Sequence, residues 1–67
     1  MKLRVNGAER DVDAGTTVER LVRSLGADPE RGVAVALDGE VVPRSAWPGT
    51  ELAEGQEVEV LRAVQGG

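Results

Sequence analysis

The hydrophobic positions of the chain follow two different periods, and the first is the period of a strand. Residues 2–5 alternate between basic and aliphatic side chains, as in a half-buried strand, and Asn6-Gly7 follows directly. Asn-Gly dipeptides adopt the positive φ angles of a tight hairpin turn. We therefore predict a hairpin whose second strand runs from Arg10 to Asp13, with Val12 facing inward.

A helical period begins after this hairpin. Four aliphatic residues recur at i, i+3, i+4 and i+7, which places them on one helix face: Val18, Leu21, Val22 and Leu25. Thr16 precedes Glu19 by three residues, so Thr16 is predicted to be the N-cap residue of a capping box. Gly26 is expected to end the helix in a left-handed C-cap. The chain is thus predicted to lay one aliphatic helix face across a sheet.

Three more strands are predicted in the second half of the chain. An apolar run over residues 33–37 ends at the turn Asp38-Gly39, and Val41-Val42 continues as a short strand before Pro43. After a turn at residues 54–55, valines alternate with glutamates, and this last strand is expected to extend toward Val64. The order of elements is strand, strand, helix, strand, short strand and strand.

This order predicts an α+β protein with the ubiquitin-like β-grasp fold, a mixed sheet of four to five strands with one helix packed across it. Between the fourth and fifth strands, Arg44 to Thr50 is predicted to be an irregular connection. Trp47, the only aromatic residue, is interpreted as a lid on a small aliphatic core rather than as a binding hot spot. We expect residues 1–64 to form the domain and residues 65–67 a flexible C-terminal tail.

Composition and charge narrow the function classes. The chain has 12 acidic and 8 basic residues, and the basic residues are scattered, which argues against nucleic-acid binding. Neither a long apolar stretch nor a signal-peptide pattern is present, so a cytoplasmic protein without a membrane partner is expected. Cysteine and histidine are absent, which removes thiolate nucleophiles, the commonest zinc ligands and the usual general base. We therefore expect no enzymatic activity, no metal site and no bound cofactor.

The candidate functional segment is the tail formed by Gln65, Gly66 and Gly67. Glycines lack side chains, so they can pass through a narrow channel and present the terminal carboxylate to another enzyme. This carboxylate is an anion at neutral pH and a poor electrophile, so it must be activated. Adenylation would supply a good leaving group, and a persulfide sulfur would then displace AMP and leave a thiocarboxylate on Gly67.

Over nearly its whole length the sequence resembles the ThiS family of thiamine-pathway sulfur carriers. The stretches that carry the resemblance are, in chain order, Val5-Asn6-Gly7, Thr17-Val18 leading into Leu21, Val33 to Ala36, Val41 to Arg44 with Trp47, and Val64 to Gly67. The resemblance implies that an E1-like adenylating enzyme of the ThiF type activates Gly67. It further implies a sulfur donor such as a cysteine desulfurase, and a thiazole synthase of the ThiG type that receives the sulfur for the thiazole moiety of thiamine.

The residues leave two other functions open. A sulfur carrier on the same fold that serves molybdopterin or cysteine synthesis would use identical tail chemistry, and neighbouring genes for a thiazole synthase would distinguish it. A β-grasp binding module that carries no sulfur would dock through its sheet face. Such a module would tolerate a C-terminal extension, whereas a carrier requires a free Gly67 carboxylate.

Overall fold

The structure, a computed structural model, describes residues 1–28 and 31–62. Those residues form five β-strands, one α-helix and one 3₁₀ helix. In chain order the elements are β1 (Lys2–Val5), β2 (Ala8–Asp11), α1 (Val18–Ser24), β3 (Val33–Leu37), β4 (Glu40–Val42), the 3₁₀ helix (Arg44–Gly49) and β5 (Glu57–Arg62). The predicted α+β class is confirmed, while the predicted extension of the last strand toward Val64 lies outside the described residues.

The five strands form one mixed sheet in the order β2-β1-β5-β3-β4. The first and last strands pair in parallel at its centre, where Arg4 lies opposite Glu57 and Val5 opposite Val58. The other neighbouring strands are antiparallel. This arrangement, with α1 against the sheet, confirms the predicted ubiquitin-like β-grasp fold. Of the four to five strands predicted, the sheet has five.

The described residues share one hydrophobic core between α1 and the sheet. Its buried members are Leu3, Val5, Val18, Leu21, Val22, Ala27, Val35, Trp47, Leu52, Val58 and Val60. Leu25, the fourth residue of the predicted helix face, packs against this core but is only half-buried, because it is the C-cap residue at the end of α1. Ala27 and Leu52 were not predicted, since an isolated aliphatic residue in a loop has no periodic neighbours.

The second strand begins and ends two residues earlier than predicted, at Ala8–Asp11 rather than from Arg10 to Asp13. Asn6 and Gly7 have φ angles of 51° and 82°, as a two-residue hairpin turn requires. So short a turn places Ala8 directly opposite Val5, and pairing starts there. Val12 lies just beyond β2 and is half-buried against the core, which confirms that it faces inward.

The helix begins one residue later than predicted, because Thr17 rather than Thr16 is its N-cap residue. The Thr17 hydroxyl accepts a hydrogen bond from the backbone N–H of Arg20 at 3.2 Å, whereas the Thr16 hydroxyl donates to the Asp13 carbonyl at 2.7 Å. The Thr16 carbonyl accepts the N–H of Leu52, and this pairing holds the segment in an extended conformation. The predicted capping box between Thr16 and Glu19 is therefore wrong.

Gly26 follows the C-cap residue Leu25 and adopts the left-handed capping conformation, as predicted. Gly26 has a φ angle of 77°, and its N–H donates to the Arg23 carbonyl at 3.0 Å. The N–H of Ala27 donates to the Val22 carbonyl at 3.3 Å. These two bonds form a Schellman motif, which requires the left-handed backbone that glycine adopts at low cost.

The connection after β4 is a 3₁₀ helix rather than the irregular segment that was predicted. Trp47 lies in this helix and is buried, and its indole N–H donates to the Val42 carbonyl at 2.9 Å. Since the polar atom of the indole has a partner, the ring can be buried without an unsatisfied donor. Trp47 is thus a core residue, which confirms the lid interpretation.

Candidate functional site

The predicted site residues Gln65, Gly66 and Gly67 lie outside the residues that the structure describes. The structure does describe β5, the strand that leads to them, as far as Arg62. On one side of β5, strand β3 pairs with it along its length, from Leu37 opposite Val58 to Val33 opposite Arg62. The contacts that hold β5 in the sheet therefore determine the position of the strand from which the tail continues.

On the other side of β5, a side chain continues the pairing that β1 begins. The ladder between β1 and β5 reaches Val5 opposite Val58, and the chain then turns away at Asn6. The Asn6 carboxamide oxygen accepts the N–H of Val60 at 2.8 Å, and its amide nitrogen donates to the Val60 carbonyl at 3.2 Å. The Asn6 backbone N–H also donates to the Val58 carbonyl at 2.9 Å. Asn6 thus extends the sheet contacts of β5 toward the tail.

A second turn residue binds the opposite end of β5. Asp38 has a φ angle of 48° and is followed by Gly39, so its turn resembles the Asn6-Gly7 turn. The Asp38 N–H donates to the Glu57 carbonyl at 2.8 Å, and its carboxylate accepts the Glu57 N–H at 2.9 Å. Asp38 therefore holds the start of β5, whereas Asn6 holds the part nearer the tail.

The last described residue of β5 is joined to the helix. The Arg62 guanidinium donates a hydrogen bond to the Leu25 carbonyl at 2.9 Å. Carbonyl groups at a helix C-terminus lack intrahelical partners and carry partial negative charge, so a guanidinium there is favourable. This contact fixes the end of β5 relative to α1.

The sheet face opposite α1 carries an exposed apolar surface near the end of β5. Val41 and Leu61 are 76% and 65% exposed. Leu61 pairs with Ala34, and Val41 pairs with Ala36, so these four side chains lie on the same face. We call Ala34, Ala36, Val41 and Leu61 the outer-face surface. Among the described residues, it is the part of this face that adjoins the segment leading to Gly67.

The remainder of this face is charged. On β1, Lys2 lies opposite Asp11 of β2, and its ammonium group is 4.0 Å from the Asp11 carboxylate and 3.7 Å from that of Glu9. Arg4 lies between Glu9 and Glu57 in the strand register. The charged residues of β1 and β2 therefore occupy one part of this face, and the outer-face surface occupies another, where Glu59 of β5 lies opposite Ala36.

The sequence profile of the ThiS family matches residues 3–67. The chain belongs to the ThiS family. Members of this family are small sulfur carrier proteins of thiamine biosynthesis rather than enzymes.

Relatives of this ThiS-family chain include a solved structure and two curated sequences. The thiamine biosynthesis protein ThiS from Geobacter metallireducens is 36% identical, matches over 100% of both chains and superposes with a TM-score of 0.82. Thiazole synthases of Paramagnetospirillum magneticum and Magnetococcus marinus are 40% and 39% identical over all 67 residues. The chain spans 20% of the length of each of these two relatives.

The described residues of this ThiS-family chain contain neither a membrane-spanning helix nor a cluster of metal ligands. Within residues 1–28 and 31–62, no helix is long and apolar enough to cross a bilayer. In the same ranges, no group of three or more acidic, histidine or cysteine side chains is arranged to hold a metal ion.

The contacts that support β5 were not predicted from the sequence. Asn6 was assigned to a hairpin turn, and its bonds to Val60 join residues 54 positions apart. Asp38 was likewise predicted only as a turn residue. The available signal was that both turns contain a residue with a carbonyl side chain rather than two glycines, since Asx side chains readily bond to nearby backbone groups.

Proposed function

We propose that this chain carries sulfur for formation of the thiazole moiety of thiamine, as a thiocarboxylate on Gly67. The observation that carries the proposal is the match to the ThiS family, which continues through Gly66 and Gly67 to the last residue of the sequence. The two thiazole synthases that match the whole chain support thiazole formation as the destination of the sulfur.

The chemistry takes place at the terminal carbonyl carbon. A carboxylate oxygen of Gly67 attacks the α-phosphorus of ATP and releases pyrophosphate, which gives an acyl-adenylate. A persulfide sulfur attacks the carbonyl carbon, and AMP leaves with the bonding electron pair. A thiol then reduces the acyl disulfide, so that sulfur remains on Gly67 as a thiocarboxylate. The chain contributes an accessible carboxylate, because Gly66 and Gly67 have no side chains to obstruct a channel.

The proposed partners are an E1-like adenylating enzyme of the ThiF type, a sulfur donor such as a cysteine desulfurase, and a thiazole synthase of the ThiG type. We assign the outer-face surface to contact with the thiazole synthase. Two observations support this assignment: Leu61 is exposed six residues before Gly67, and two thiazole synthases contain a segment that is 40% and 39% identical to this chain over 67 residues. The buried centre of a protein interface is typically formed by apolar side chains from which water is excluded.

Intact-mass spectrometry tests the proposal. The chain is incubated with ATP, the cognate adenylating enzyme and a persulfide donor, and we expect a mass gain equal to the replacement of one oxygen by sulfur. A variant without Gly67 and a variant with one alanine added after it should remain folded and show no gain. Sulfuration of the extended variant, or no sulfuration of the original chain, would contradict the proposal.

Delivery of the sulfur is tested separately. The sulfurated chain is mixed with a thiazole synthase and its other substrates, and we expect loss of sulfur from Gly67 together with thiazole formation. Sulfur transfer to molybdopterin synthase or to an enzyme of cysteine synthesis, without transfer to thiazole synthase, would assign the chain to one of the alternative carrier functions.

A further inference from the structure

The side chain of Asn6 makes contacts that its turn does not require. A two-residue hairpin turn needs positive φ angles, which glycine adopts more readily than asparagine. Both ends of the Asn6 carboxamide nevertheless bond to the backbone of Val60, at 2.8 Å and 3.2 Å, and both bonds are partly buried. Glycine would supply neither bond, and aspartate would lack the donor.

The two bonds from Asn6 to Val60 lie closer to the tail than any pair in the β1–β5 ladder. The register between β1 and β5 ends with Val5 opposite Val58, so among the described residues the Asn6 amide makes the contact nearest the tail on that side of the strand. On the other side, β3 pairs as far as Arg62. Without the amide, the last residues of β5 would be held at the sheet from one side only.

We propose that Asn6 is a positioning residue that fixes the end of β5, the strand from which the Gly66-Gly67 tail continues, in the arrangement that the adenylating enzyme binds. The inference rests on the proposed carrier function. Seven residues follow Val60, a length that spans at most about 25 Å when fully extended. The Asn6 bonds therefore act on the part of β5 from which this seven-residue segment continues.

The expected consequence is an effect on productive binding. A carrier whose strand end is already ordered loses less conformational freedom when it docks, so preordering lowers the cost of association. Two hydrogen bonds of this kind change an equilibrium by roughly tenfold. Loss of the Asn6 amide should accordingly raise the KM for the carrier about tenfold, with a smaller change in kcat.

Asp38 provides a matched control. It occupies an equivalent Asx-Gly turn, has a similar φ angle and bonds through its side chain to the backbone of β5, but at Glu57, the end remote from the tail. Asn6→Gly and Asp38→Gly both preserve turns that require positive φ; the first removes two side-chain bonds to β5 and the second removes one. If Asn6 served only the stability of the fold, the two variants would behave alike.

The experiment measures pyrophosphate release by the cognate adenylating enzyme against carrier concentration for the original chain, Asn6→Gly and Asp38→Gly, with melting temperatures and amide hydrogen exchange recorded in parallel. We expect Asn6→Gly to raise KM about tenfold and to speed exchange at the Val60 amide. Asp38→Gly should leave KM within about twofold of the original value. Equal KM values for the two variants, or loss of activity that only follows the unfolded fraction, would overturn the inference. An original chain that is not adenylated at all would instead overturn the proposed function.

Discussion

Thr17 forms an isolated antiparallel bridge with Glu51, and this contact sets where the helix begins. The Val18 N–H donates to the Thr50 carbonyl at 2.9 Å, so the residues before α1 are held as an extended strand by the segment after the 3₁₀ helix. Thr17 is the last residue in this extended conformation, and its hydroxyl is therefore the one placed to cap the helix. The helix start thus depends on a contact with a distant part of the chain.

Replacing the two threonines separately checks this assignment. Thr17→Ala removes the acceptor for the Arg20 N–H and should lower the free energy of unfolding by about 1 kcal/mol. Thr16→Ala removes a bond to the Asp13 carbonyl outside the helix and should cost less. Urea denaturation followed by circular dichroism gives both values. A larger loss for Thr16→Ala would restore Thr16 as the cap.

The buried helix face should dominate stability. Leu21 is 1% exposed, and Leu21→Ala is expected to lower the free energy of unfolding by about 2–5 kcal/mol, because it removes buried methyl groups and leaves a cavity. Arg20→Ala, one residue earlier on the exposed side, should change it by less than about 0.5 kcal/mol. Denaturant titration of both variants measures the difference, and equal midpoints would remove Leu21 from the core.

Trp47 should be sensitive even to a conservative change. Trp47→Phe keeps an aromatic ring but reduces its volume and removes the hydrogen bond to the Val42 carbonyl. We expect a loss of about 1–3 kcal/mol in the free energy of unfolding, from the lost bond together with the space left in the core. Calorimetric unfolding checks this, and an unchanged melting temperature would show that the indole N–H contributes nothing to the fold.

The outer-face surface can be tested with a charge-matched pair of variants. Leu61→Glu replaces the most prominent aliphatic side chain of β5 in the outer-face surface with a charge and should weaken binding to thiazole synthase by at least about tenfold. Lys2→Gln makes the same change in net charge among the charged residues of β1 and β2 and should alter the dissociation constant much less. Isothermal titration calorimetry measures both. Similar losses for the two variants would indicate a general charge effect rather than a contact at Leu61.

The tail should tolerate no added bulk. Gly66→Ala and then Gly66→Val introduce side chains of increasing size and stiffness, so adenylation should fall in that order while the melting temperature stays unchanged. A displacement of about 1 Å at a reacting group can cost roughly a hundredfold in rate, which sets the scale expected for valine. Single-turnover measurement of adenylate formation checks the order. Equal rates for all three chains would show that the residue before Gly67 does not enter a narrow channel.

Elements that are specified by residues close together in the sequence could be predicted correctly. The period of Val18, Leu21 and Val22 predicted the helix, and Gly26 predicted its end. Asn6-Gly7 predicted the hairpin. The predicted start of β2 was two residues too late, because the turn contains only two residues. The β-grasp order of elements could therefore be predicted before the strand register was known.

Features that depend on contacts between distant residues were not predictable in this way. Whether Thr16 or Thr17 caps the helix depends on pairing with Glu51, and the second role of Asn6 depends on Val60. The same applies to the candidate site: the Gly66-Gly67 tail is visible as a motif, but the outer-face surface exists only because the sheet register places Leu61 and Val41 on one face. Residues 65–67 remain a sequence prediction.

The parallel pairing of β1 with β5 also has a consequence for how the chain folds during synthesis. β5 occupies the centre of the sheet, so until it emerges from the ribosome the β1–β2 hairpin and the β3–β4 hairpin have no strand between them. Pairing between strands this far apart in the sequence forms late in folding, because the chain must lose the entropy of closing a long loop before the contact stabilises it. An incomplete chain would consequently lack the assembled sheet, so a partner that recognises the folded domain would not bind unfinished copies.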